Sequence, residues 1–261
     1  MGRALPLWVA GALAGASAEA KQPIYLREGE RMNIEVAVPA PRWYALTPVA
    51  ADYANPLPCP AKGECAVEIK YTWVELPALA GQSIIEVSSV PELRSPGTHR
   101  IRPSAEPLGP ATMYDIADTF ELVIRRDDTY AGYASELIGV PFVLNPTLRP
   151  DGAHQTDARV GADCVALVIY GQRRMGHMVP YVAPSALDRY TEPVQGPIQA
   201  GDVLHFGFQT AILVEDRGVI GALDDPDRVL QTWHGLAEIL VFGALPYKDA
   251  PVTALRWKTP L

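Results

Sequence analysis

Cysteine is scarce in this sequence, with three residues in 261, and two of those sit in one short loop. Lys and Arg, 22 in all, are outnumbered by 30 Asp and Glu. They form no basic stripe; Arg125-Arg126 and Arg173-Arg174 are isolated pairs. With a net charge of -8, the chain lacks the clustered cations that a nucleic-acid or anionic-membrane surface requires. Beyond residue 20 no apolar run approaches the length of a membrane span. There is no internal repeat, no low-complexity tract and no Cys/His spacing of the kind that holds structural zinc. What is plentiful is punctuation: 25 Pro and 21 Gly favour short strands and many turns over long helices. The length suits one large domain or two modest ones.

The one strongly apolar stretch opens the chain. In MGRALPLWVAGALAGASAEA, Arg3 supplies a positive start and Ala4 to Ala16 an apolar run. Ala18-Glu19-Ala20 then fits a small-x-small cleavage pattern, so residues 1–20 read as a secretory signal. Export, to a periplasm or the cell exterior, gives the cysteines a meaning. Cys59 and Cys65, in the Pro/Gly-rich loop CPAKGEC, would close into a disulfide in an oxidising compartment. Cys164 is then left over. It is either a small hydrophobe of the core or a reactive thiol.

Residues 21–125 carry strand periodicity. RMNIEVAVP alternates Met32, Ile34, Val36 and Val38 with polar or small residues. ECAVEIKYTWVEL alternates over a longer reach, from Cys65 to Trp73 on one face. WYALTPV, QSIIEVSSV, THRIRP and DTFELVIRR are further strands between turn signals, so this part is expected to be a small β-sandwich. The texture changes at RRDDTYAG, where Asp127 or Asp128 is expected to cap a helix through TYAGYASELIG. A long polar loop, NPTLRPDGAHQTDARVG, leads to a second helix. Strands follow in DVLHFGF, QTAILVED, VLQTWHG and AEILVFGAL, making residues 126–261 an α+β domain.

That second helix, GADCVALVIYGQRRMG, places Cys164 in its first turn behind Asp163, with Leu167, Val168, Gly171 and Met175 on the same stripe. Free backbone N–H groups and the positive end of the helix dipole favour an anion there, and so a thiolate. The same N–H groups suit the oxyanion of a tetrahedral intermediate.

Together, Gly139-Val140-Pro141-Phe142, Asp163-Cys164 and Ala200-Gly201-Asp202 resemble, in order and spacing, the NlpC-type papain-like cell-wall endopeptidases. The resemblance covers roughly Tyr130 to Leu240. It implies a papain-like fold and cleavage of peptidoglycan peptide stems with Cys164 as nucleophile, no cofactor or metal, and Asp163, Phe142 and Gln231 on the substrate side. The sequence departs from the family where it matters most. Val165-Ala166 replaces Ser-Gly, and Gln209 stands where the strand should open with the catalytic histidine. Gln231 falls in the third polar slot. An amide orients or donates; it does not take a thiol proton.

Two other histidines are candidates for the base. If Phe206-Gly207-Phe208 is a three-residue hairpin loop, His205 pairs with Gln209 and shares its face. His234 lies three residues past Gln231, on the opposite face by simple alternation unless a bulge intervenes. His154 sits in the preceding loop, His177 beyond the helix end and His99 in the first domain. Two readings follow. One is a secreted cysteine hydrolase acting on a cell-wall peptide or protein, with Cys164 as nucleophile, His205 or His234 as base and Gln209 as oxyanion donor or orienter. The other is a catalytically inactive papain-like protein that binds such a partner without cutting it.

Overall fold

The computed structural model describes residues 22–39, 41–57, 65–111, 116 and 118–258. The signal-like segment 1–20 and Cys59 lie outside them, so export and the Cys59–Cys65 pairing remain readings of the sequence. In chain order the strands are β1 (Ile24–Arg27), β2 (Asn33–Glu35), β3 (Arg42–Pro48), β4 (Asp52–Ala54), β5 (Tyr71–Glu75), β6 (Ile84–Glu86), β7 (Gly97–Ser104) and β8 (Phe120–Arg125). Helix α1 (Tyr130–Ala134), β9 (Phe142–Leu144) and helix α2 (Cys164–Arg174) follow. The chain ends through β10 (Thr191–Pro193), β11 (Val203–His205), β12 (Thr210–Glu215), β13 (Arg228–Gln231), β14 (Glu238–Val241) and β15 (Thr253–Trp257). The protein is mixed α+β with sheet predominant. Among the described residues no helix is long and apolar enough to cross a membrane.

Two compact units divide the chain. The first takes the residues up to Val49 together with Lys70–Ile124. Its five-stranded sheet runs β1-β8-β7-β3-β5, and β2 pairs with β6 in a separate two-stranded ribbon. Alternation works as read: Ile34 is buried, Met32 and Val36 pack against the same core, and Trp43, Ile101 and Leu122 are wholly enclosed. The long strand expected from Cys65 onward does not form; only Tyr71–Glu75 is a strand. Ala50–Ile69 belongs instead to the second unit. There Asn55 holds it, accepting from the Val67 amide at 2.7 Å and donating to Gln155 Oε1 at 2.7 Å. A side chain that satisfies the backbone of this loop removes the need for a ladder.

In the second unit, Ala50–Ile69 and Arg125–Leu261, a six-stranded sheet runs β10-β15-β11-β12-β13-β14, and β4 pairs in parallel with β9. Helix α1 is capped by Thr129, whose hydroxyl accepts from the Gly132 amide at 3.1 Å. Neither aspartate is the cap: Asp127 accepts from the Thr129 amide and hydroxyl, bracing the capping residue from one step back. Helix α2 is buried around its circumference from Cys164 to Gln172 rather than on one stripe, because α1 packs on it as well as β12. Met175, expected on the buried stripe, is 41% exposed at the C-cap, where the helix outruns its cover. Gly171 makes the contact of the two helices close: a Cβ there would lie 2.8 Å from the Tyr130 ring. Tyr130 donates to the Val168 carbonyl at 2.8 Å, and the enclosed Glu136 accepts from Tyr170 and Arg174, each at 2.6 Å. The middle and C-terminal half of α2 are thereby tied to α1 and to Glu136.

Candidate active site

Cys164 is the first residue of α2 and Asp163 its N-cap, with Oδ1 accepting from the Ala166 amide at 2.8 Å. The cap needs a short acceptor in extended backbone, and Asp163 has φ -95°, ψ -179°. Cys164 is a free thiol and only 7% exposed. Burial, then the neighbouring Asp163 charge, push it up to about 11, while the amide and hydroxyl of Thr210 and the amide of Val165 pull it down. Neighbouring Thr210 and the Val165 amide favour a thiolate; low dielectric and a carboxylate oppose it. The opposition wins, so the resting thiol is protonated at neutral pH. None of these leading influences is an imidazole. Asp163 is itself raised to about 6 by burial, against amide donors that hold its charge.

Thr210 opens β12, wholly buried, and its hydroxyl has no hydrogen-bond partner other than its approach to the thiol. The hairpin before it is tighter than the sequence suggests. The Phe206 amide donates to the Gln209 carbonyl at 2.8 Å, so Gly207 and Phe208 make a two-residue turn with Gly207 at φ 83°. His205 therefore pairs with Thr210, not with Gln209. Pairing puts His205 on the α2 side of the sheet with Val203 and Ile212, where its Nδ1 is buried without a partner.

Gln209 turns the other way. It is fully enclosed and donates to the Thr232 carbonyl at 2.9 Å and to the Tyr247 hydroxyl at 3.3 Å. Tyr247 donates to Gln231 Oε1 at 3.2 Å, and Gln231 donates to Glu238 at 3.3 Å. Gln209 and Gln231 are thus joined through a tyrosine that nothing in the sequence singled out. Tyr247 is pushed up to about 12, first by burial and in part by the proximity of Cys164. The Gln209–Tyr247–Gln231 row passes beside the thiol, yet Gln209 Oε1 has no partner of its own.

His234 is placed by a departure from strand geometry. β13 ends at Gln231, and His234 has φ 47°, left-handed backbone that breaks the alternation. Its Nδ1 lies 2.7 Å from Asp52 Oδ2, and its ring packs on Phe142 at 5.1 Å and on Trp233 at 4.7 Å between centroids. Phe142 faces both ways: it bridges to Ala162, two residues before Cys164, and its amide donates to the Gly235 carbonyl at 3.0 Å. Buried at 4% exposure, Phe142 is a packing residue between the two segments rather than a surface for substrate. Asp52, 182 residues before its partner, was invisible to sequence reasoning. His154 is committed elsewhere, stacked on Tyr181 at 3.8 Å. Among the described residues no cluster of His, Cys, Asp or Glu could hold a metal ion.

Comparison with protein-family models, with curated proteins and with solved structures returns no match for this chain.

Proposed function

We propose that this chain is an exported, papain-like cysteine hydrolase that cleaves amide bonds, with Cys164 as nucleophile. The observation that carries the reading is a free, buried thiol in the first turn of a helix capped by Asp163, where the amides of Val165 and Thr210 favour its anion. A cysteine used only for packing needs no such donors, whereas a developing thiolate does. The thiol is not a standing ion pair. It attacks as a neutral group whose proton leaves while the C–S bond forms, and α2 amides left free by the attack accept the carbonyl oxygen's charge. A peptide stem of the cell wall is the substrate class that the sequence resemblance supports. The test is incubation of the full chain with soluble peptidoglycan fragments, reading new amino termini by mass spectrometry. Cleavage by the wild type and none by Cys164→Ala is the expected result; equal behaviour of the two overturns it.

A second reading has its own support. Gln209 and Gln231 occupy the base and third slots and are locked into a buried row, and the thiol is pushed up to about 11. A papain-like protein that binds a cell-wall peptide without cutting it would have this site. Saturable retention of the same fragments by wild type and Cys164→Ala, with no new amines, would favour it.

A further inference from the structure

Resting on the hydrolase reading, we propose that the proton acceptor for Cys164 is His234 held by Asp52, delivered from the turn after β13 instead of from the start of β12. Four observations lead there. The Thr210 amide is turned to Sγ rather than to β11, since His205↔Thr210 is the pair next to the hydrogen-bonded Phe206–Gln209 turn. The thiol thus lies on the β13 side of β12, the side on which residues 232–235 run. Next, 235–237 run antiparallel to 139–142: Gly139 donates to Ala237, Ala237 to Val140 and Phe142 to Gly235. Phe142 then bridges to Ala162, so a single residue separates the His234 turn from the approach to Cys164. Last, the imidazole is oriented: Asp52 takes Nδ1 at 2.7 Å, Phe142 packs tilted against the ring and Trp233 meets it in a T-shaped contact, and Nε2 is left for chemistry. A base whose far nitrogen is fixed by a carboxylate is the arrangement that selects one tautomer and stabilises the imidazolium. Left-handed backbone at this non-glycine residue, φ 47°, is a cost that the surrounding contacts offset in holding the ring there.

The chemistry balances with water as the only co-reactant. The Sγ proton passes to His234 Nε2 as sulfur attacks the amide carbonyl, whose π electrons move to oxygen. Collapse breaks the C–N bond, and the leaving amine takes the proton from Nε2. Water then attacks the thioester, gives one proton to Nε2, and the released sulfur regains it. Asp52 stays ionised and acts through His234, as a positioning residue.

The test uses iodoacetamide on the full chain from pH 5 to 10, with the site of labelling read by peptide mass spectrometry and folding checked by melting temperature. In the wild type, Cys164 alkylation is expected to show a limb near neutral pH, well below the thiol's own ionisation. His234→Asn, which tolerates left-handed backbone, is expected to slow alkylation at pH 7 by about 10²-fold while leaving the rate at pH 10 and the melting temperature near wild type. Asp52→Asn lowers the neutral limb, because the imidazole loses the carboxylate that orients it; Asp52→Glu restores it in part. A purely structural His–Asp contact would leave that limb unchanged. Wild-type profiles in both variants, or loss of the limb in His205→Asn with none in His234→Asn, overturn the assignment and leave the hydrolase reading standing. A Cys164 that reacts in no folded variant at any pH sinks the hydrolase reading itself.

Discussion

Two polar groups, the Gln209–Tyr247–Gln231 row and the His234–Asp52 pair, are built in opposite ways. The Gln209–Tyr247–Gln231 row is sealed: both glutamines are at or below 3% exposure, and each spends its amide on a neighbour. The His234–Asp52 pair stands at the surface, with side chains 56% and 48% exposed, and keeps one ring nitrogen uncommitted. The row has no group that readily takes a proton at neutral pH. The pair has that group and lies on a turn that alternation would have placed on the wrong face. Burial rigidifies the first and disqualifies it for proton traffic; exposure gives the second its route to solvent.

Four substitutions would break or sharpen this contrast. Cys164→Ala is expected to have the largest effect, abolishing cleavage and site-specific labelling, with little change in melting temperature because Ala fills most of the buried volume. Asp163→Asn comes next. Folding raises this carboxyl from its ordinary 3.8 to about 6, so its protonated form favours the fold. Stability on its account is fully present below pH 4 and is lost as pH rises through about 6, a difference on the order of 2–3 kcal/mol. The variant keeps the cap, should gain stability at pH 7 and lose that pH dependence in urea titrations. Its thiol should alkylate at lower pH, since the second-largest influence raising it is gone.

Tyr247→Phe is the smaller test of the sealed row. It removes the hydroxyl that joins the two glutamines and leaves buried amide atoms short of a partner, for a loss of about 1–2 kcal/mol in chemical denaturation. Thiol reactivity should stay within a factor of about 3 of wild type, a change of well under 1 kcal/mol in barrier. If reactivity collapses instead, the row and not the surface pair serves the cysteine. Asp52→Asn should be the mildest for stability, within about 1 kcal/mol, as befits an exposed His–Asp contact, while still lowering the neutral limb of the alkylation profile.

Much of the fold was legible from local pattern. The α2 start at Asp163-Cys164 follows from a good capping residue before an apolar run, and the strands β11 to β14 fall where alternation and turn signals put them. Illegible features share a physical cause. The residues after Cys65 look like a strand until Asn55 satisfies their backbone from another part of the chain. The β11–β12 register turns on whether Gly207 makes a two- or three-residue loop, and one residue of difference exchanges Gln209 for Thr210 opposite His205. Asp127 is a natural helix cap by type, yet it braces Thr129, which does the capping.

By itself the sequence determined the elements: two short helices among many strands, and a capped cysteine. Those follow from side-chain periodicity, turn chemistry and the residue at one position, all of which act within a few residues. Only the tertiary structure decided what the cysteine meets. Its proton is held by burial and by Asp163, its sulfur is faced by Thr210, and the imidazole nearest to solvent is steadied by an aspartate 182 residues away. Electrostatics and hydrogen bonding act through space, and at that separation the sequence carries no sign of them.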